Sequence, residues 1–261
     1  MKNVHVIGHK GMVGSELVGR GCLPLECDIT NPYEIKKALK ENSPTTIILC
    51  AAETNVEWCE KNPMFAMRTN VTGVSNLVDV FKGRLIYIST DHVFDGKKFL
   101  GLGYSEKHSP NPLNVYGQTK FAGEFVAGLG WPDTRIIRTS KLFNRKSLFD
   151  KFGSNTPYIF SGVLKRSYLH VQHFVDGLEF VLDNWQKMPK VLNVSGTDIL
   201  SEYMFMYKAA VIFDVVEAVD SPRNTKLSGA TPRPIRGGLN VGLAKHLGVP
   251  LYSAFDGLEL L

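Results

Sequence analysis

Val4-His5-Val6-Ile7-Gly8-His9-Lys10-Gly11-Met12-Val13-Gly14 is the stretch that decides the fold. Val4 to Ile7 reads as a buried strand, the residues from Met12 to Arg20 have helical periodicity, and glycines join the two. A strand that turns through glycines into a helix brings backbone N–H groups and the positive end of the helix dipole to one point, where a dinucleotide pyrophosphate binds. The spacing is Gly-x-x-Gly-x-x-Gly rather than the commoner Gly-x-Gly-x-x-Gly, and so many glycines also suit a plain tight turn. The flanking strand and helix favour nucleotide binding, with Gly8, His9, Lys10, Gly11, Met12 and Val13 as the cofactor loop.

Outward from this stretch the same alternation repeats. A helix over 32–40 follows Asn31, a buried strand covers 46–52, a long helix runs over 63–81, and a strand covers 84–89. A helix carrying Tyr116 and a strand over 134–138 complete the pattern. The expected fold is α/β, a Rossmann-type doubly wound parallel sheet over 1–140. Residues 141–261 are expected to form mainly a small substrate-binding lobe, with some segments returning to the sheet: a helix over 175–185, a strand over 191–194 and a helix after Ser201. The stretch 220–238, rich in Pro, Arg and Gly, reads as a loop.

A dinucleotide fold places an acidic residue about 20 residues beyond the glycines, where it holds the adenosine ribose. Here the second strand is abbreviated between Arg20 and Asp28. Glu26 favours NAD(H), whereas Arg20 or Lys10 beside a 2′-phosphate favours NADP(H), and the sequence leaves both open.

Tyr116 and Lys120 stand four apart on a helix and so share a face. A free phenol titrates near pKa 10, and an ammonium close by stabilises the phenolate, so the pair suits general acid/base work.

Composition narrows the alternatives. The net charge of +5 comes from basic and acidic residues scattered along 261 positions, without the basic stripe that tracks nucleic acid. No run approaches about 18 apolar residues, and polar residues interrupt the N-terminus, so a cytoplasmic protein without a membrane span or signal peptide is expected. Cys22, Cys27, Cys50 and Cys59 lack Cys-x-x-Cys spacing, and His170 and His173 have no acidic or cysteine partner at ligand spacing; neither disulfides nor a metal is expected.

Further motifs carry a resemblance. They include Cys27-Asp28-Ile29-Thr30-Asn31-Pro32, Cys50-Ala51-Ala52, Asn70, Ser89-Thr90-Asp91-His92-Val93-Phe94-Asp95-Gly96, Asn114-Val115-Tyr116-Gly117-Gln118-Thr119-Lys120 and Arg138-Thr139-Ser140. With the glycine loop, they make the chain resemble the extended short-chain dehydrogenase/reductases, and within them the dTDP-4-dehydrorhamnose reductase family, over nearly its full length. The resemblance implies Tyr116 as proton donor to a ketone oxygen, Lys120 holding the nicotinamide ribose, and Thr90 bonded to the same oxygen. It places Asp28 and Ile29 near the adenine, Ala51, Ala52, Asn70 and Ser89 with the cofactor, and Asp91 and His92 toward a nucleotide-activated 4-keto-6-deoxysugar. Arg233 or Arg236 can clamp the diphosphate, since guanidinium pairs with phosphate in bidentate fashion.

His92, Glu53 and Asn144 depart from the family pattern and are expected at the cleft. Two other readings stay open: an epimerase or dehydratase of nucleotide sugars, although Asp91-His92 is not a dehydratase acid pair, and a non-catalytic, cofactor-binding regulatory subunit. A homodimer also stays open.

Overall fold

The computed structural model describes residues 3–97, 101–130, 133–152, 161–216 and 231–261. The expected loop over 220–238 therefore lies outside the described residues as far as position 230. Strands β1 (Val4–Ile7), β2 (Leu23–Pro24), β3 (Thr46–Leu49), β4 (Arg84–Thr90), β5 (Thr134–Thr139) and β8 (Val191–Asn193) form one sheet in the order β2-β1-β3-β4-β5-β8. Every pairing in it is parallel. β1 and β3 are buried along their whole length, as a parallel sheet covered on both faces requires. The chain runs outward from β1 to β2 and then returns across β1 to β3. That reversal opens a crevice at the carboxyl ends of β1 and β3, the place where such sheets bind ligands.

Alternate residues of each strand face opposite layers. Val6, Ile48, Ile86 and Ile137 pack with Leu17 of α1 (Met12–Gly19) and with Phe174, Val175, Leu178 and Val181 of α8 (Val171–Asp183). Ile7, Ile47, Leu49, Leu85 and Tyr87 pack with Ile35 of α2 (Pro32–Asn42), Leu77 and Val78 of α5 (Gly73–Val80) and Ala127 of α6 (Val115–Gly130). A second sheet, β6-β7-β9, joins Lys141–Phe143, Lys165–His170 and Ile199–Ser201. It covers a separate core that includes Phe143, Tyr168 and Phe205, with α9 (Glu202–Ile212) contributing Phe205, Met206 and Ala209.

Several boundaries move for identifiable reasons. β3 stops at Leu49, not at 52, because Cys50 N and Ala51 N both turn to the Ile7 carbonyl, at 2.9 and 3.0 Å. A helix absent from the sequence reading, α3 (Val56–Lys61), starts where Asn55 accepts a bond from Trp58 N at 3.0 Å. The long helix expected over 63–81 is α4 (Pro63–Met67), a π turn (Arg68–Thr72) and α5. α8 begins at Val171 rather than 175, with the His170 ring accepting from Gln172 N. The remaining helices, α7 (Arg145–Phe152), α10 (Gly242–His246) and α11 (Ala254–Leu258), belong to the C-terminal half.

Candidate active site

The glycine loop lies at the sheet reversal. Gly8 has φ +86°, and a Cβ there would come 2.4 Å from Ala51 N; one at Gly14 would come 2.3 Å from the Gly8 carbonyl oxygen. These two glycines allow β1, α1 and the end of β3 to close together. Gly11 differs: a Cβ there would meet only Gly8 O, at 3.5 Å, yet it borders two cavities. The N-terminus of α1 has no side-chain cap; the Gly11 N–H turns back to the Gly8 carbonyl at 3.1 Å, and the donors of the first turn at Met12 and Val13 border the cavity. Uncapped donors at a helix start fit a pyrophosphate.

One cavity, of about 460 Å³, extends from Gly8, His9, Lys10 and Gly11 to Glu26 and Ala51. Glu26 sits 3.4 Å from His9 Nε2 and 4.0 Å from Lys10 Nζ, so both charges considered for the ribose stand side by side. Arg20 is not there. Its guanidinium bonds Glu16 at 3.1 Å and Asp176 at 2.5 Å, which ties α1 to α8. Asp28 is exposed, with its Oδ1 accepting from Thr30 N at 2.8 Å, and Ile29 is buried against Gly73. Neither borders this cavity. Asn70 is 1% exposed, with its amide bonded to both polar backbone atoms of Glu53 and to Thr119. Its part is to hold the 53–55 loop.

A second cavity, of about 400 Å³, continues past Gly11 to the ends of β4 and α6. Ala52, Ser89, Thr90, Asp91, His92, Tyr116 and Lys120 all border it. The pairing of β4 with β5 sets Thr90 beside Thr139, with the Thr90 hydroxyl close to the Tyr116 phenol. Asp91 is 2% exposed and is used internally: it accepts from Thr90 Oγ1 at 3.2 Å and Ser140 Oγ at 2.7 Å, and lies 3.5 Å from Arg166 Nε. It orients Thr90 from the wall of the cavity.

The electrostatics reverse one expectation. Burial pushes the Tyr116 phenol up rather than down, against the lowering pull of Thr90. The phenol is therefore protonated at neutral pH, the state a proton donor needs. Burial also lowers Lys120 to about 7, opposed by Glu124 and Cys50, and its Nζ lies 4.0 Å from the centre of the Tyr87 ring. Beneath it, Glu124 holds Arg138 through bonds of 2.8 and 2.7 Å and accepts from Ser89 Oγ at 2.5 Å.

A third cavity, of about 340 Å³, shares Met12, Thr54, His92, Lys141 and Arg166 with the second and reaches Lys151, Glu202 and Arg233. Arg166 opens a segment that resembles a substrate-lobe element of the family, whereas Lys141 does not stand out in the sequence. Lys141 follows directly on Arg138-Thr139-Ser140, a position at the carboxyl end of β5 that could have drawn notice. Arg233 binds Glu57 at 2.9 Å, and Arg236 is exposed outside the cavities. Of the three departures, His92 borders two cavities. Glu53 instead accepts from Asn55 N, and Asn144 caps α7 by accepting from Ser147 N at 2.8 Å.

Among the described residues, no group of His, Cys, Asp and Glu is placed to hold a metal, and none of the four cysteines is in a disulfide. His173 stacks on Tyr252 with ring centres 3.7 Å apart. Among those residues, no helix is long and apolar enough to cross a membrane.

Comparison with known proteins adds to this geometry. Residues 1–155 match the family described as the RmlD substrate binding domain. A dTDP-4-dehydrorhamnose reductase from Streptomyces griseus is 36% identical over 155 residues, which cover 53% of this chain and 49% of that protein. The chain thus spans about half the length of the curated reductases it matches. Methionine adenosyltransferase 2 subunit beta from Xenopus laevis is 27% identical over 241 residues, 86% of this chain and 71% of that protein. In structure, the chain resembles a dTDP-4-dehydrorhamnose reductase from Bacillus anthracis, solved in complex with NADP. That likeness has a TM-score of 0.88 and 27% identity, and covers 100% of this chain and 98% of the other.

Proposed function

This chain belongs to the RmlD substrate binding domain family, and on that premise we propose that it is an oxidoreductase reducing the 4-keto group of a nucleotide-activated 6-deoxysugar with NADPH or NADH. The observation that carries the reading is the meeting of Thr90, Tyr116 and Lys120 along one cavity that continues into the glycine loop. The nicotinamide supplies hydride when bound. As negative charge grows on the ketone oxygen, the Tyr116 phenol gives it a proton, with the Thr90 hydroxyl beside the phenol. Lys120 stands behind Tyr116 on the same helix face, placed to hold the cofactor ribose.

The uncapped start of α1 and Gly11 are assigned to the pyrophosphate, and Ala51, Ala52 and Ser89 to the length of the cofactor. Glu26, beside Lys10, faces the adenosine ribose. This reading gives residues 1–140 to the cofactor and the third cavity, built largely from 141–261, to the nucleotide sugar. Arg233 and Arg166 are its phosphate partners there. A cytoplasmic site of action fits an enzyme that draws on NADPH.

The test is stoichiometric loss of absorbance at 340 nm with dTDP-4-dehydrorhamnose. One NADPH consumed per ketone supports a reductase, whereas conversion without net consumption makes the protein an epimerase, which recycles its hydride. A second reading rests on the alignment with methionine adenosyltransferase 2 subunit beta, which covers 86% of the chain where the Streptomyces griseus reductase covers 53%. Cofactor binding without turnover, together with stable association with a methionine adenosyltransferase, would make this protein a regulatory subunit.

A further inference from the structure

His92 stands in the wall between the catalytic cavity and the cavity assigned to the sugar nucleotide, with its ring edge-on to Tyr116 at a centre distance of 5.3 Å. Its tautomer follows from its neighbours. Asn114 Oδ1 accepts from Gly117 N at 2.8 Å, which caps the start of α6. The other end of that amide, Nδ2, lies 2.8 Å from the Pro232 carbonyl oxygen, an acceptor without a proton of its own. Both contacts agree on which end of the amide is nitrogen. Nδ2 also lies 3.2 Å from His92 Nδ1, and a nitrogen facing an amide donor must accept. The proton of the neutral ring is therefore on Nε2.

The ring stays neutral. Burial, with Arg166 and Arg233 nearby, lowers it to about 4, opposed by Asp91 and by the bond to Asn114. His92 is only half-buried and lines both cavities, and among the described residues its Nε2 has no hydrogen bond. Beside it the Thr90 hydroxyl is engaged with Asp91 Oδ1, so His92 adds a donor that Thr90 does not. The backbone here is tightly placed: a Cβ on Gly117 would come 2.2 Å from the His92 carbonyl oxygen. Asn114 thus fixes three things together: the helix that carries Tyr116, the His92 tautomer and the chain at Pro232.

We propose that His92 is a substrate-binding residue whose Nε2–H donates to a sugar oxygen next to the reacting ketone, and that Asn114 is the positioning residue that selects this tautomer. The inference rests on the reductase reading for the identity of the sugar. It is tested on the NADP complex of the whole chain by ¹⁵N-histidine NMR, with dTDP-rhamnose as the probe, alongside turnover of dTDP-4-dehydrorhamnose. The expected result is an Nε2–H tautomer at neutral pH whose Nε2 signal shifts on adding dTDP-rhamnose.

His92→Phe should lower kcat/KM about 10- to 100-fold with NADPH affinity unchanged within about twofold, and His92→Gln, which keeps an N–H donor, should restore most of it. Asn114→Asp keeps the cap but turns its second oxygen on Nδ1. It should move the ring proton to Nδ1 and lower kcat/KM as His92→Phe does. An Nδ1–H tautomer in the wild type, an Nε2 signal indifferent to dTDP-rhamnose, or His92→Phe with wild-type turnover overturns the inference. If the wild type turns over no ketone while dTDP-rhamnose still shifts Nε2, the reductase reading fails and the His92 contact stands.

Discussion

Replacing Gly14 by alanine sets a new Cβ 2.3 Å from the Gly8 carbonyl oxygen and 2.7 Å from His9 Cα. Both neighbours are backbone, so the loop or the helix must move, at a cost of about 1–3 kcal/mol. Gly8→Ala combines a comparable clash with Ala51 N at 2.4 Å and a φ of +86°, and its expected loss is about 2–6 kcal/mol. Gly11 has φ −76° and ordinary room for a Cβ. Gly11→Ala should cost only about 0.5–1 kcal/mol, the difference between the two residues at a helix N-cap. A methyl group there nonetheless narrows the passage where the two cavities bordered by Gly11 meet. Folding and binding should therefore separate along one loop. In urea titrations Gly11→Ala should keep a near-wild-type midpoint, while its NADPH affinity by calorimetry falls about tenfold or more, equivalent to about 1.4 kcal/mol. Gly14→Ala should lose stability first. A Gly11→Ala protein that binds NADPH as the wild type does, or a Gly14→Ala protein with an unchanged midpoint, would refute the reasoning.

Lys120, lowered by burial to about 7 from an ordinary 10.5, binds its proton more weakly folded than unfolded. From about pH 7 upward the unfolded chain holds the extra proton, so the cofactor-free protein gains stability from this group as pH rises. The stability difference between wild type and Lys120→Met, followed from pH 7 to 8.5, should drift in favour of the wild type; no drift would contradict it. Glu124 and Arg138 are 4% and 5% exposed, and Glu124→Gln leaves the guanidinium without a counter-charge, at an expected cost of about 3–5 kcal/mol by urea denaturation. Adding Arg138→Met should recover part of that loss, and no recovery would mean that the pair is not the cause.

What the sequence made legible was local. Strand, glycine loop and helix stand within eleven consecutive residues of β1 and α1, and Tyr116 and Lys120 are a helical turn apart, so spacing alone identifies them. Much of the rest depends on contacts between distant segments. Arg166 reaches Asp91 from the other lobe, and Asn70 reads as a cofactor residue until its amide is seen bridging Glu53 and Thr119. α3 has six residues and the strands β6 and β9 have three each, too few to show a period. The rise of the Tyr116 phenol was hidden for a similar reason: spacing reports that Lys120 is near, but not how far the surrounding protein keeps water from both groups.

The central claim is that Tyr116 delivers the proton as the ketone is reduced. Tyr116→Phe removes one hydroxyl and keeps the ring against His92, so NADPH binding followed by fluorescence should match the wild type. In a single turnover with enzyme in excess over dTDP-4-dehydrorhamnose, the 340 nm decay of the variant should slow by about 10²–10⁴-fold, the usual worth of a positioned general acid. A variant that binds NADPH normally and oxidises it at the wild-type rate would contradict the account.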